Sequence, residues 1–111
     1  MPHYLCRLNS PRPSFPADIT PDERALMAAH VEYWRPYVEV GRVVAMGPVA
    51  DPAGVWGVAI IEAEQVGEIE ALQARDPVIV SQRGFSYQNY FMPNLALRAV
   101  EPRAAVSTIS P

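Results

Sequence analysis

The sequence predicts an α+β domain: a sheet of four strands carrying two helices, in β-α-β-β-α-β order. Three observations lead there. A helix start with full capping chemistry, "TPDE", follows a proline-rich loop and a short β-compatible segment. Two apolar runs flank a turn-forming "DPAG". A second helical pattern then precedes one last alternating run, "FSYQNYFM".

Each element has its own reason. Met1 to Leu8, "MPHYLCRL", is rich in β-compatible residues and predicts the first strand. "NSPRPSFPAD" holds three prolines, which remove backbone donors and keep the chain extended. Thr20 is an N-cap, Pro21 takes the first helical position, and Glu23 stands in capping-box register. Asp22 and Glu23 also suit the positive end of the helix dipole. The helix runs toward Val40, where Gly41 supplies a stop. Leu26, His30, Tyr33, Trp34 and Tyr37 form one stripe at helical spacing. Pro36 predicts a kink, or an end to the regular helix near Arg35.

"RVVAMGPVA" from Arg42 and "VWGVAIIEA" from Val55 read as strands of one hairpin. Between them, Asp51 to Gly54 has the residue preferences of a type I turn. "EQVGEIEALQARD" is the second helix, with Val66, Ile69 and Leu72 inward, and Asp76-Pro77 stops it. "VIVSQRG" is a connector or short turn, and Phe85 to Met92 is the final strand. Residues 1–92 thus form one domain. Residues 93–111 are a C-terminal tail that orders only if it docks. The order is that of a ferredoxin-like α+β sandwich, with both helices on one face of a mostly antiparallel sheet. Neither side of the final strand reads as solvent-like, and "VWGVAII" is apolar on both sides. The uncovered sheet face therefore predicts a homodimer packed sheet against sheet.

Composition narrows the function classes. The chain has 111 residues, half of them apolar and 19% charged, which suits one domain with a small core. Net charge is −3, all nine cations are arginine, and no basic run exists, which argues against a nucleic-acid partner. Cys6 is the single cysteine, so no intramolecular disulfide forms, and no Cys/His spacing matches a zinc site. No basic n-region with an apolar stretch opens the chain, and no apolar run reaches membrane length. The expectation is a cytoplasmic domain with no membrane partner.

His30 is the residue with the most chemistry. A histidine on a helix's inner stripe is commonly structural, yet imidazole both gives and takes a proton near neutral pH. It does so best when a carboxylate fixes its tautomer. Asp51 is the natural candidate for that carboxylate, because the strand after the helix returns alongside it. Asp is equally favoured at the first position of such a turn for local bonding. Asp76, before Pro77, reads most simply as a helix-ending acid. Arg12 has the planar fork that binds an anionic group, or is solvated or held in a structural ion pair. Arg7 is placed where it would face the open side of the sheet. Phe15, Tyr33 and Trp34 would line a pocket for a planar ligand, or belong to the core. Ser81 and Ser86 have no nucleophile context, and no glycine loop cradles phosphate.

Taken together, "RLNSPRPSFPADITPDERALMAAHVEYW", "EVGRVVAMGPVADPAGVWGVAIIEA" and "ARDPVI" resemble the YciI-like family, also called YCII-related domain proteins. The ordered set carries the likeness: a helix His, Gly-Arg, Gly-Pro, Asp-Pro with a following Gly, and a second Asp-Pro. It covers approximately Met1 to Met92. The resemblance implies a ferredoxin-like homodimer of the dimeric α/β barrel type, similar to muconolactone isomerase-type proteins. It also implies a pocket with a His–Asp pair. The histidine matches His30, the acid after Gly47-Pro48 matches Asp51, and the other Asp-Pro matches Asp76 and Pro77. The chemistries it implies are lyase- or isomerase-like, on small, often cyclic or aromatic-derived compounds.

The leading expectation is thus a small cofactor-independent enzyme with no metal. In it His30 moves a proton and Asp51 holds and polarises the ring. Arg12, Phe15, Trp34 and Asp76 contact the small-molecule substrate. The alternative is a dimeric ligand-binding or interaction module that transfers no proton.

Overall fold

The computed structural model of the chain describes residues 2–98. The N-terminal residue and most of the expected C-terminal tail, 99–111, lie outside the described residues. Seven elements follow one another: β1 (His3–Asn9), α1 (Pro21–Glu39), β2 (Val43–Val49), β3 (Trp56–Glu62), α2 (Val66–Gln73), α3 (Pro77–Val80) and β4 (Ser86–Met92). The strands form one sheet in the order β2-β3-β1-β4, and every neighbouring pair is antiparallel. This α+β arrangement is compatible with a ferredoxin-like fold.

Period-2 alternation sorts each strand into a helix-covered side and an open side. On β1, Tyr4, Cys6 and Leu8 are buried while His3, Leu5, Arg7 and Asn9 are not. Register carries the split across the sheet: Leu8 lies opposite Gly57 and Tyr87, and Arg7 opposite Val58 and Gln88. One core cluster joins Tyr4, Cys6, Trp34, Val43, Ile61, Ile69 and Leu72. A second joins Leu8, Phe15, Val78 and Phe85. The functional residues described below sit at the seam between the two.

The capping box of α1 forms as its sequence requires. The Glu23 backbone N–H donates to Thr20 Oγ1 at 3.2 Å, and the Thr20 backbone N–H donates to Glu23 Oε1 at 2.9 Å. Gly41 follows the helix with φ +82°, a conformation that costs other residues strain. Pro36 does not end the helix, which runs on to Glu39, and the Val40 N–H still reaches the Pro36 carbonyl at 3.1 Å. The proline is exposed, so the carbonyl one turn back that lacks its usual donor is free to bond water. In α2, Ile69 and Leu72 are buried as their spacing predicts, but Val66 is exposed and Gln73 takes an inner place. Gln73 does so by exchanging two amide hydrogen bonds with Asn89 of β4, at 2.7 and 2.9 Å.

The expected connector after Asp76 is instead the short helix α3. Asp76 caps it, with Oδ1 accepting from the Val78 N–H at 3.1 Å and Pro77 in the first position. That cap sets the direction of the Asp76 side chain. No helix among the described residues is long and apolar enough to cross a membrane.

Candidate active site

Asp76 is fully buried, and three side chains converge on its second oxygen. His30 Nδ1 donates to Oδ2 at 2.7 Å, Trp34 Nε1 at 2.7 Å, and the Tyr87 hydroxyl at 2.6 Å. His30 and Trp34 stand four apart on α1 and so share its inner face. Tyr87 comes from the helix-covered side of β4. The two carboxylate oxygens thus accept four hydrogen bonds, from side chains of two elements, α1 and β4, and from the α3 backbone. Burial alone pushes this carboxyl upward. The bonds from His30, Tyr87 and Trp34 outweigh that, and Asp76 is held below its ordinary value and stays ionised. The same burial, with the charge of Asp76 beside it, pushes the Tyr87 hydroxyl up, so Tyr87 keeps its proton and donates it.

The tautomer of His30 follows. A carboxylate accepts only, so Nδ1 carries the proton and the neutral ring leaves its lone pair on Nε2. The His30 side chain is only 8% exposed. Among the described residues its hydrogen bond is the one through Nδ1, and the ring lines a cleft of about 790 Å³ between α1 and the sheet. Phe15, Met27, Val31, Leu8, Met46 and Pro48 give that cleft apolar walls. Its size falls within the ~300–1,000 Å³ usual for small-molecule sites. A basic nitrogen held by a buried carboxylate at the wall of an apolar cleft is equipped to take a proton from a bound molecule and return it. Cys6 also lines the cleft, but burial pushes its thiol up to about 12, so it is no nucleophile near neutral pH.

The partner expected for His30 needs correction. Asp51 does not meet His30. Its Oδ1 accepts from the Ala53 N–H at 2.9 Å and its Oδ2 from Trp56 Nε1 at 3.1 Å, while its carbonyl closes the turn with the Gly54 N–H. Those two bonds hold its carboxyl below the ordinary value. Trp56 stacks under the Arg7 guanidinium, 4.3 Å from the ring centroid, and both belong to the open side of the sheet. Alternation therefore ties Asp51 to the face opposite His30.

The remaining expected residues divide. Phe15 is buried and lines the cleft, set edge-on to Phe85 with centroids 5.6 Å apart. Trp34 is not a cleft wall. It lies in the core, 2% exposed, with its N–H on Asp76. Asp76 has no surface to offer a substrate, since its two oxygens are occupied from inside. Arg12 is engaged elsewhere: it forks onto Glu23 at 2.6 and 2.8 Å and onto Asp18 at 2.9 and 3.0 Å. That double clamp ties the proline-rich loop to the start of α1. Sequence reasoning passed over Tyr87, whose place on the inner side of an alternating strand was the available signal. It also passed over Arg24, which lines the cleft. Among the described residues no three of His, Cys, Asp and Glu gather as a metal ion would require.

The family described as YCII-related domain matches residues 4–88, three quarters of the chain. No curated protein matches it.

Proposed function

The chain belongs to the YCII-related domain family, and on that premise we propose that it is a small cofactor-independent enzyme of lyase or isomerase type. His30 Nε2 takes a proton from a carbon next to a carbonyl and returns it to another carbon of the same molecule in an isomerisation. In an elimination the C–H electron pair forms a double bond, the bond from the neighbouring carbon to its leaving group breaks, and the proton passes to the departing group. Asp76, not Asp51, orients the ring and steadies the cation that forms. Trp34 and Tyr87 hold Asp76 in turn. Phe15 walls the substrate. The observation that carries this reading is the 2.7 Å bond between His30 Nδ1 and a buried, ionised Asp76 on a ring that borders an apolar cleft. General acid–base help of this kind contributes about a hundredfold to ten-thousandfold.

The test is proton exchange in D₂O. A panel of unsaturated lactones, cyclic ketones and 2-oxo acids is incubated with the protein, and loss of C–H signal is followed by ¹H NMR. Wild type should exchange at least one compound, with His30→Ala slower by about 10²–10⁴ at unchanged fold by circular dichroism. Exchange that survives His30→Ala, or no exchange anywhere in the panel, favours a ligand-binding module instead.

The working form in this reading is a homodimer. Leu5, Val58, Ile60 and Tyr90 make an apolar stripe on the sheet side that carries no helix, and a second copy would cover it. Light scattering at micromolar concentration should give twice the chain mass of 12.2 kDa; a strictly monomeric species would remove this part of the proposal.

A further inference from the structure

The reaction class leaves the substrate open, but the charges around the cleft narrow it. Three charged residues line it: Arg24, Arg35 and Glu39. Arg35 is already neutralised, since its guanidinium binds Glu32 at 2.7 and 3.2 Å and Glu39 raises its affinity for the proton further. Arg24 differs. Among the described residues it has no ion pair. The acids nearest to it in sequence serve other arginines: Glu23 is clamped by Arg12, and Asp22 meets Arg83 at 3.4 Å. The positions three and four ahead on α1 are Met27 and Ala28, so no helical neighbour supplies a carboxylate either. An uncompensated guanidinium therefore stands on the wall of a cleft that is otherwise mostly apolar.

Arg24 and His30 are six residues apart on α1, an axial rise of about 9 Å, and both residues line the cleft. A molecule lying along the cleft would meet a cation at one end, apolar walls in the middle and His30 Nε2 at the other. Resting on the reading of His30 as the proton-transfer group, we infer that the substrate is a small organic acid: a carboxylate seated on Arg24, an apolar ring or branched body against Met27 and Phe15, and the reacting carbon at His30. This is the anion-holding task that the sequence suggests for Arg12, which is fixed to Asp18 and Glu23 instead.

Acid–amide pairs provide the test. Phenylacetate, 3-phenylpropionate and indole-3-acetate, each beside its primary amide, are titrated into ¹⁵N-labelled protein at pH 7 and binding is read from amide shifts around the cleft. The acids should bind about tenfold more tightly than their amides. Arg24→Gln should erase that ratio by weakening the acids far more than the amides, and Arg24→Lys should keep part of it. Because Arg24 is exposed, neither variant threatens the fold. Amides that bind as well as acids, a preference that persists in Arg24→Gln, or no saturable binding by any of the acids overturns the inference. The reading of His30 has its own readout in the same samples, the ¹⁵N shifts of its ring in wild type and Asp76→Asn. An acid preference without a dependence of the His30 tautomer on Asp76 would keep the anion seat and remove the proton-transfer pair; the reverse result would do the opposite.

Discussion

Replacing Asp76 should unsettle the fold and the His30 ring together. In Asp76→Ala, four donors lose their acceptor: His30 Nδ1, Trp34 Nε1, the Tyr87 hydroxyl and the Val78 N–H. Two of them have an escape. The Tyr87 hydroxyl can rotate, and His30 can move its proton to Nε2. The Trp34 indole has only a donor and sits in a core site 2% exposed, so its N–H stays unpaired. Each orphaned buried donor costs about 1–3 kcal/mol, and the Trp34 indole and the Val78 N–H both lose their acceptor. With a typical domain stability of about 5–15 kcal/mol, the alanine variant is marginal. Asp76→Asn is the cleaner perturbation. Its single carbonyl can serve either the three side chains or Val78, and its amide group then faces donors on the other side. The expected loss is about 1–3 kcal/mol. Urea unfolding followed by Trp fluorescence should show it as a lower midpoint at unchanged slope, by on the order of 1 M. Ring ¹⁵N shifts should show the neutral His30 ring leaving the Nδ1–H form. Asp51→Asn, run beside it, should leave the ring untouched. An Asp76→Asn protein with wild-type midpoint and wild-type ring shifts would refute the network.

Other expectations follow from the same contacts. Arg12 first, then the Thr20 backbone N–H, holds Glu23 down to about 2, and Arg12 with Ser14 holds Asp18 at about 2. Both folded values lie below the ordinary ones, so their stabilisation is complete above about pH 4.5 and disappears as pH falls toward 2. Thermal melts across that window should show the loss, and Glu23→Gln should flatten it. Trp34→Phe removes one donor from Asp76 while keeping most of the ring volume, and should cost about 1–2 kcal/mol in urea midpoint with the His30 tautomer retained. Pro36→Ala restores a helical N–H and should raise stability by roughly 1 kcal/mol or more, read as a higher melting temperature; a lower melting temperature would mean that the proline shapes the last turn of α1.

The fold was legible because its signals are local. The Thr20–Glu23 capping box, the alternation of β1 and the Asp51–Gly54 turn each depend on residues within a few positions, and each forms as its chemistry dictates. The His30 partner was not legible for the same reason. Asp51 lies 21 positions from His30 and Asp76 lies 46 away, and nothing in spacing ranks two acids that each precede a proline. What separates them is which face of the sheet each one meets. Trp56 draws Asp51 to the open face. The cap of α3 aims Asp76 at the underside of α1, and α3 itself read only as a connector. The fork of Arg12 suits a structural ion pair as well as a bound anion, and the two acids that occupy it come from the loop and the helix start, which only the folded chain brings together.

A buried carboxylate is a poor way to stabilise a small core. Taking an ion out of water costs several kcal/mol even after relaxation, and well-packed apolar side chains often fold as well or better in its place. Here the sequence keeps Asp76 at 0% exposure and surrounds it with Trp34, Tyr87 and His30, three residues whose rings alone would fill the same volume. Trp34 is deep in the core, and Tyr87, although it borders the cleft, gives its only proton inward. Their common effect is to keep Asp76 ionised and immobile. An ionised, immobile Asp76 has one consequence that reaches the cleft, which is to fix the His30 proton on Nδ1 and leave Nε2 basic. If the network served packing alone, a variant with all four residues replaced by apolar ones of matched volume would be as stable as wild type and as active. Equal or higher stability with proton exchange lost is the result expected from the argument, because the cost of burying the charge is then removed along with the only group the charge was arranged to orient.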